Sequence, residues 1–293
     1  MSQRIITIDS QILNSIQSCA LKTKYSHIQN LTPTSKAAAL ERGDLMHRLL
    51  EPYYSLLMDE PNFNTETWKE LKAAGIEPKK PVETGVASGY YFATKLELPI
   101  DICEETIYQF REYAEHYRHD QWHPLAVEEV GTKVMYEDDD IRIDYVFKID
   151  LVAEKGHLVA PFDHKTSKQR KEPSSMSNQF IGYAWGLGVN NVVVNKIGFQ
   201  KTLRPDERFQ RYTLPIDNER IEEWIKNSTW WIKYLDSCIK EDNWPMNLTS
   251  CDKYDGCIFR RICEANPQVR EAKLSRDFDA GEEWDVAVAL EED

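Results

Sequence analysis

Apolar residues recur at helical spacing in two stretches near the amino end. "DSQILNSIQSCALKTKY" reads as a helix with Asp9 or Ser10 as its cap and Cys19 near its end. After the turn-like "LTPTS", residues 36–58 form a longer amphipathic pattern whose buried stripe is Leu40, Leu45, Leu49 and Leu56. Gly43 interrupts that pattern at a cost of about 1 kcal/mol against alanine, so close packing is the expected reason for it. Residues 59–100 keep no firm period and carry Pro61, Pro78, Pro81 and Pro99, which suggests an insertion or a lid. A helix over 103–119 follows.

The period then changes to two. "AVEEVGTKVMY" (126–136), "IRIDYVFKIDLVA" (141–153) and "HLVAPFDHKT" (157–166) read as strands joined by the short polar turns "EDDD" and "EKG", as in a meander of hairpins. A helix over 174–188, strands over 191–202 and 208–216 and a helix over 217–241 complete the pattern. The order predicts an α/β fold of the α+β kind: a mixed central sheet flanked by helices, with helical, cysteine-bearing segments at both ends. One domain over 1–272 is the simplest division. The acidic stretch 273–293, ending "DAGEEWDVAVALEED", reads as a mobile tail.

Composition narrows the class. With 41% hydrophobic and 29% charged residues the chain has the make-up of a soluble globular protein. No apolar run approaches the ~20 residues that span a bilayer. "MSQRIITIDSQ" lacks the pattern of a secretory signal, so a cytoplasmic location with no membrane partner is expected. The net charge of −13 argues against a generally basic nucleic-acid coat, though not against a local basic groove or a metal ion. The densest basic run, "KTSKQRK" (165–171), reads as a solvated loop.

The chemistry begins at "VAPFDHKTS" (159–167). In a strand Asp163 and Lys165 share a face and His164 points to the other. Alone, this is a surface ion pair worth ~0–1 kcal/mol. Asp150, thirteen residues earlier on the preceding strand of the hairpin, changes the reading, because both carboxylates can then converge on one ion. Phosphodiester hydrolysis needs an activated water and charge neutralisation on the phosphate, which a carboxylate-held divalent metal and a lysine supply. With its imidazole turned away, His164 is left to face the metal through its backbone carbonyl. His47 and Glu51, and Gln179 and Tyr183, are each four apart on one helical face. An imidazole at His47 suits Mn²⁺ and tolerates Mg²⁺. Gln179 and Tyr183 can bond a phosphate or base, or align Lys165. Asp144, in "IRIDYV", is a rival for the place of Asp150.

Taken in order, "GDLMHRLLE", "FKIDLV", "FDHKTS" and "QFIGYA" resemble the PD-(D/E)xK nuclease superfamily, and within it the RecB-like branch that includes CRISPR-adaptation exonucleases and AddB-type subunits. The resembling pieces cover residues 43–185. The resemblance implies a restriction-endonuclease-like core in which His47, Asp150, Asp163 and Lys165 are catalytic or metal-binding, with Gln179 and Tyr183 supporting. One departure is Phe147, where the family usually has a glycine three residues before the metal-binding aspartate. The implied activity is a Mg²⁺- or Mn²⁺-dependent deoxyribonuclease acting on DNA ends or single strands, with a helicase or single-strand-binding protein as a conceivable partner.

Six cysteines accompany these motifs, three of them within thirteen residues. In many RecB-like proteins one cysteine near the amino end joins three near the carboxyl end around a [4Fe–4S] cluster, which here implies Cys19, Cys251, Cys257 and Cys263. Five residues separate each neighbouring pair of the trio, so the short knuckle usual in structural zinc sites is missing. Iron–sulfur is favoured, with zinc or no metal as alternatives. Cys103 and Cys238 fit apolar helix faces. Two rival readings stand beside the nuclease: a catalytically silent nuclease fold serving DNA binding or assembly, and a zinc-stapled regulatory protein.

Overall fold

Asp9 turns the chain from strand to helix within two residues, because its Oδ1 accepts the N–H of Ile12 at 2.7 Å. The computed structural model describes residues 3–34, 38–167, 172–253 and 256–281. Strand β1 (Arg4–Ile8) leads into helix α1 (Ser10–Ser18), the short helix α2 (Ala20–Thr23) and strand β2 (Leu31–Pro33). Four helices follow: α3 (Ala38–Ser55), α4 (Glu66–Ala73), α5 (Pro81–Lys95) and α6 (Ile100–His116). Next come β3 (His123–Glu137), β4 (Ile141–Lys155), β5 (Leu158–Ser167), α7 (Asn178–Leu187), β6 (Asn191–Gly198), α8 (Pro205–Arg208) and β7 (Phe209–Pro215). The described chain closes with α9 (Asn218–Glu241), α10 (Arg260–Cys263), α11 (Arg270–Asp277) and β8 (Phe278–Ala280).

The sheet is mixed, as expected from the pattern. Its hydrogen-bonded order is β1-β4-β5-β6-β7, with β3 also pairing β4. β1 runs parallel to β4 and β6 parallel to β5, while β5 is antiparallel to β4 and β7 to β6. The chain forms two compact units, discontinuous in sequence. One comprises Met1–Lys36, Gly131–Phe147 and Glu219–Asp293, the other Ala37–Val130 and Lys148–Asn218. β3 and β4 contribute residues to both units.

The second unit holds the larger core. Leu45, Leu49, Phe92, Phe110, Leu151, Phe162 and Val193 are buried together, each side chain contributing roughly 1.5–3 kcal/mol of burial. Within residues 59–100, α4 and α5 put Trp68, Leu71, Phe92 and Ala93 into this core. The helical period of α5 is hard to read because its buried face uses Thr84, Gly85, Ser88 and Gly89. A Cβ at Gly89 would lie 2.6 Å from Leu49 Cδ2, so α5 approaches α3 at backbone distance. Gly43 has the packing reason its position suggests, since a Cβ there would meet Thr166 Oγ1 at 3.1 Å. Of the predicted α3 stripe, Leu45 and Leu49 are buried and Leu56 partly so; the side chain of Leu40 and the helix start at 36–37 lie outside what the structure describes.

In the first unit, Phe147 packs against Gly131, where an added Cβ would stand 2.4 Å from the ring. The bulk at 147 is thus accommodated by a glycine on β3. A smaller core joins Leu21, Tyr25, Phe259, Ile262, Leu274 and Phe278. Within the stretch read as a tail, Leu274 lies on α11 and Phe278 on β8, which pairs antiparallel with β2. Residues 282–293 of that stretch, and 168–171 of the basic run, lie outside the described residues.

Candidate active site

Pairing of β4 with β5 runs from Lys155 opposite Leu158 to Leu151 opposite Phe162. One residue further along β4, the Asp150 side chain takes over from the backbone ladder, and Oδ2 accepts the N–H of His164 at 2.7 Å. Asp163 and Lys165 share the other strand, with Lys165 Nζ 2.9 Å from Asp163 Oδ1. Asp163 is 1% exposed, and its Oδ2 is buried with no hydrogen-bond partner among the described residues. A buried carboxylate oxygen left in that state is costly, so this edge has a ready acceptor for a cation.

His47 reaches the same edge from α3, its Nδ1 3.6 Å from Asp150 Oδ1. Glu128 completes the group: one donor atom each of His47, Glu128 and Asp150 lies within 4.8 Å of the others. Glu128 is the functional candidate that the sequence pattern does not single out. It sits mid-strand directly before Glu129, and its distinguishing feature is conformational, a φ of 52° inside β3. A non-glycine residue in the left-handed region costs energy and re-aims the side chain, as irregular strand positions beside active sites do. Asp144, the rival to Asp150, is paired instead with Arg142 Nε at 2.8 Å.

Crowding of acids governs the electrostatics. Burial pushes the Asp150 carboxyl up; His47 and the His164 N–H oppose this, Asp163 and Glu128 add to it, and the outcome is about 7. Burial pulls His47 down, but Asp150, Glu128 and Asp163 outweigh it and hold the imidazole above its usual value. Both groups therefore hold a proton more readily than they would in water when no cation is present.

Lys165 is held from a second side. Its Nζ lies 3.0 Å from Gln179 Oε1, Gln179 Nε2 donates to Tyr183 Oη at 2.8 Å, and Tyr183 Oη donates to the carbonyl of Lys148 at 2.6 Å. The four-residue spacing on α7 thus aligns the lysine and ties α7 to β4. His164 lies between Asp163 and Lys165 on β5. Its imidazole is 3% exposed, contacts Asn195 Nδ2 through Nδ1 at 2.8 Å and stacks on Tyr54. That places the ring on the α3 side, 6.0 Å from the His47 ring. Burial, then the His47, Arg211 and Lys165 charges, hold it well below its usual value and neutral. Because the N–H and C=O of one strand residue project to the same side, the carbonyl of His164 faces the Asp150 edge with its N–H.

The four predicted cysteines gather in the first unit. Cys19 interrupts the predicted first helix in an extended conformation between α1 and α2. With Cys251, Cys257 and Cys263 it lines one cavity of about 250 Å³, also bordered by Lys22, Lys253 and Arg260. The N–H of Asn247 points to Cys19 Sγ at 3.4 Å. Burial, then Cys257 and Cys19, push the Cys251 thiol up. Cys263 is pushed up by burial, against Arg270 and with the other three cysteines. Cys103 and Cys238 are buried on α6 and α9.

Comparison with known proteins agrees with this geometry at the level of family. No curated protein matches the sequence. Among solved structures, a Eubacterium rectale protein provisionally assigned as an exonuclease is similar with a TM-score of 0.49 and 9% identity, over 89% of each chain. SSO0001 gives a TM-score of 0.33 and 16% identity over 67% of this chain and 93% of its own. LHK-Exo in complex with dAMP gives 0.33 and 9% over 66% and 93%. Among the described residues no helix is long and apolar enough to cross a membrane. The sequence model of the PD-(D/E)XK nuclease superfamily matches residues 11–264; the chain belongs to that superfamily.

Proposed function

We propose that this protein is a metal-dependent deoxyribonuclease of the RecB-like branch, acting on DNA ends or single strands. The observation that carries the reading is the convergence of His47, Glu128 and Asp150 within 4.8 Å, beside Asp163 with its unpartnered buried oxygen and a lysine held at 2.9 Å. Carboxylates and a neutral imidazole suit Mn²⁺, and carboxylates with a backbone carbonyl suit Mg²⁺. His47, Glu128, Asp150 and Asp163 would hold the ion, with the carbonyl of His164. Such an ion supplies Lewis acidity toward a phosphate oxygen and lowers the pKa of a bound water.

The chain's own residues do the rest. Lys165, 47% exposed, keeps its ammonium at the opening, where it can orient the attacking water and offset charge growing on the phosphate. Asp163 and Gln179 fix that ammonium from two directions, which reduces the reorganisation needed as charge develops. A catalytically silent relative has no need of this arrangement, and its presence favours the enzyme. The test is incubation of labelled single- and double-stranded DNA with Mn²⁺ or Mg²⁺, beside Lys165→Ala. Cleavage that needs the ion and the lysine is expected; undiminished cleavage by the variant would sink the reading.

The four cysteines are proposed to hold a [4Fe–4S] cluster, with zinc as the alternative occupant. Four thiols on one cavity with cationic borders, and a backbone N–H aimed at Cys19 Sγ, fit a cluster whose sulfurs accept hydrogen bonds. Its role there is structural, tying α1–α2 to the segment around α10.

A further inference from the structure

Behind the three-residue group lies a second set of charges that the nuclease motifs leave unassigned. Lys148 Nζ is 2.7 Å from Glu128 Oε2. Glu51, one turn beyond His47 on α3, is buried at 7% exposure; Oε2 accepts the hydroxyl of Thr67 at 2.5 Å, and Thr67 Oγ1 accepts from Arg48 at 2.7 Å. Glu51 Oε1 has no hydrogen-bond partner among the described residues. Glu51, Glu128 and Lys148 each lie in the field of the other two. The ammonium is therefore paired with Glu128, a member of the candidate metal centre, and acts on Glu51 through its field alone.

We propose that Lys148 is a positioning residue that restricts this centre to one divalent ion. The inference rests on the metal-centre reading of His47, Glu128 and Asp150. With Oε2 bonded to an ammonium, Glu128 is left to serve as a ligand to one ion rather than to bridge two, which is how paired-ion centres use a shared carboxylate. Glu51 would otherwise offer a second buried oxygen beside it. A positive charge held on Glu128 and felt by Glu51 repels another cation and offsets the acids' mutual repulsion. The exposed stem of Lys148, 56% accessible, lets the ammonium be removed without opening a core cavity. The backbone at this position is fixed independently by Tyr183.

The test counts Mn²⁺ per chain by equilibrium dialysis with electron paramagnetic resonance, on full-length protein whose fold is checked by circular dichroism. The wild type is expected to bind one ion, Lys148→Met two, and Lys148→Arg one, since arginine keeps the charge. Glu51→Gln in the Lys148→Met background should return the count to one, because the second site loses its acid. Two ions in the wild type, or one in Lys148→Met at unchanged affinity, overturn the inference while leaving the metal centre standing. A wild type that binds no Mn²⁺ overturns the metal centre, and this inference with it.

Discussion

Asp150 Oδ2 accepts the backbone N–H of His164 at 2.7 Å, so the most conspicuous histidine of the motif strand meets the site through its main chain. Its ring is committed elsewhere, to Asn195 and Tyr54. His47 is in the reverse position, with its ring at Asp150. The two histidines should therefore fail differently. His164→Ala is expected to cost about 1–3 kcal/mol of stability, from lost packing and the lost contact with Asn195, while Mn²⁺ affinity changes little. His47→Ala should lower Mn²⁺ affinity on the order of 10-fold or more with a smaller loss of Tm. Paired titrations and melts decide it, and equal effects of both changes on affinity would contradict the assignment.

Lys165 and Gln179 make a graded pair. Removing the ammonium with Lys165→Ala should reduce cleavage by roughly 10²–10³-fold or more, the scale for losing a charge-stabilising donor. The lysine is half exposed but Asp163 is 1% exposed, so leaving that buried carboxylate without its partner should also cost about 1–3 kcal/mol of stability. Gln179→Ala leaves the ammonium present but held from one side only, and a milder loss in kcat is expected. If Gln179→Ala were as inactive as Lys165→Ala, glutamine would be contacting the reacting phosphate itself.

Proton linkage supplies a signature without substrate. Asp150 ionises near 3.8 in the unfolded chain and near about 7 in the folded one. Between those values the native state holds more protons, so this group's effect on stability becomes less favourable as pH rises. His47 adds to the trend: its raised value means a contribution complete below its usual 6.5 and lost as pH climbs through the folded value. In EDTA, Asp150→Asn should melt higher than the wild type at pH 8, by ~2–4 °C for each kcal/mol relieved. That advantage should shrink as pH falls toward 4. A variant that melts lower than wild type at pH 8 in EDTA would show that the acids there are not in conflict.

Much of the site is legible in the sequence because its spacings are geometric. Two residues apart on β5 fixes Asp163 beside Lys165, and four apart on α7 fixes Gln179 beside Tyr183. Glu128 is not legible, since what distinguishes it is a positive φ inside a strand, and single residues forced into the left-handed region leave no periodic trace. The same limit hides α5, whose buried face is glycine and serine where a pattern search looks for leucine. β1, β2 and β8 also escape, being three to five residues long, too short to show alternation. Phe147 departs from the expected glycine, and the compensation lies sixteen residues away in sequence at Gly131.

The cysteine cavity gives a prediction independent of catalysis. Four thiols line one cavity, and burial with mutual proximity raises two of them, Cys251 and Cys263. A metal that takes all four as thiolates must supply the compensating charge, and losing one ligand leaves its coordination incomplete. Changing any one of Cys19, Cys251, Cys257 or Cys263 to Ser should therefore abolish visible absorption and iron content in anaerobically purified protein, and lower Tm by several degrees. Cys103→Ser and Cys238→Ser should keep both, because those thiols are buried on α6 and α9. Stoichiometric zinc in a colourless preparation would assign the cavity to zinc. Retention of cluster absorption by Cys19→Ser would remove the amino-terminal ligand, and with it the idea that the cluster ties α1–α2 to the segment around α10.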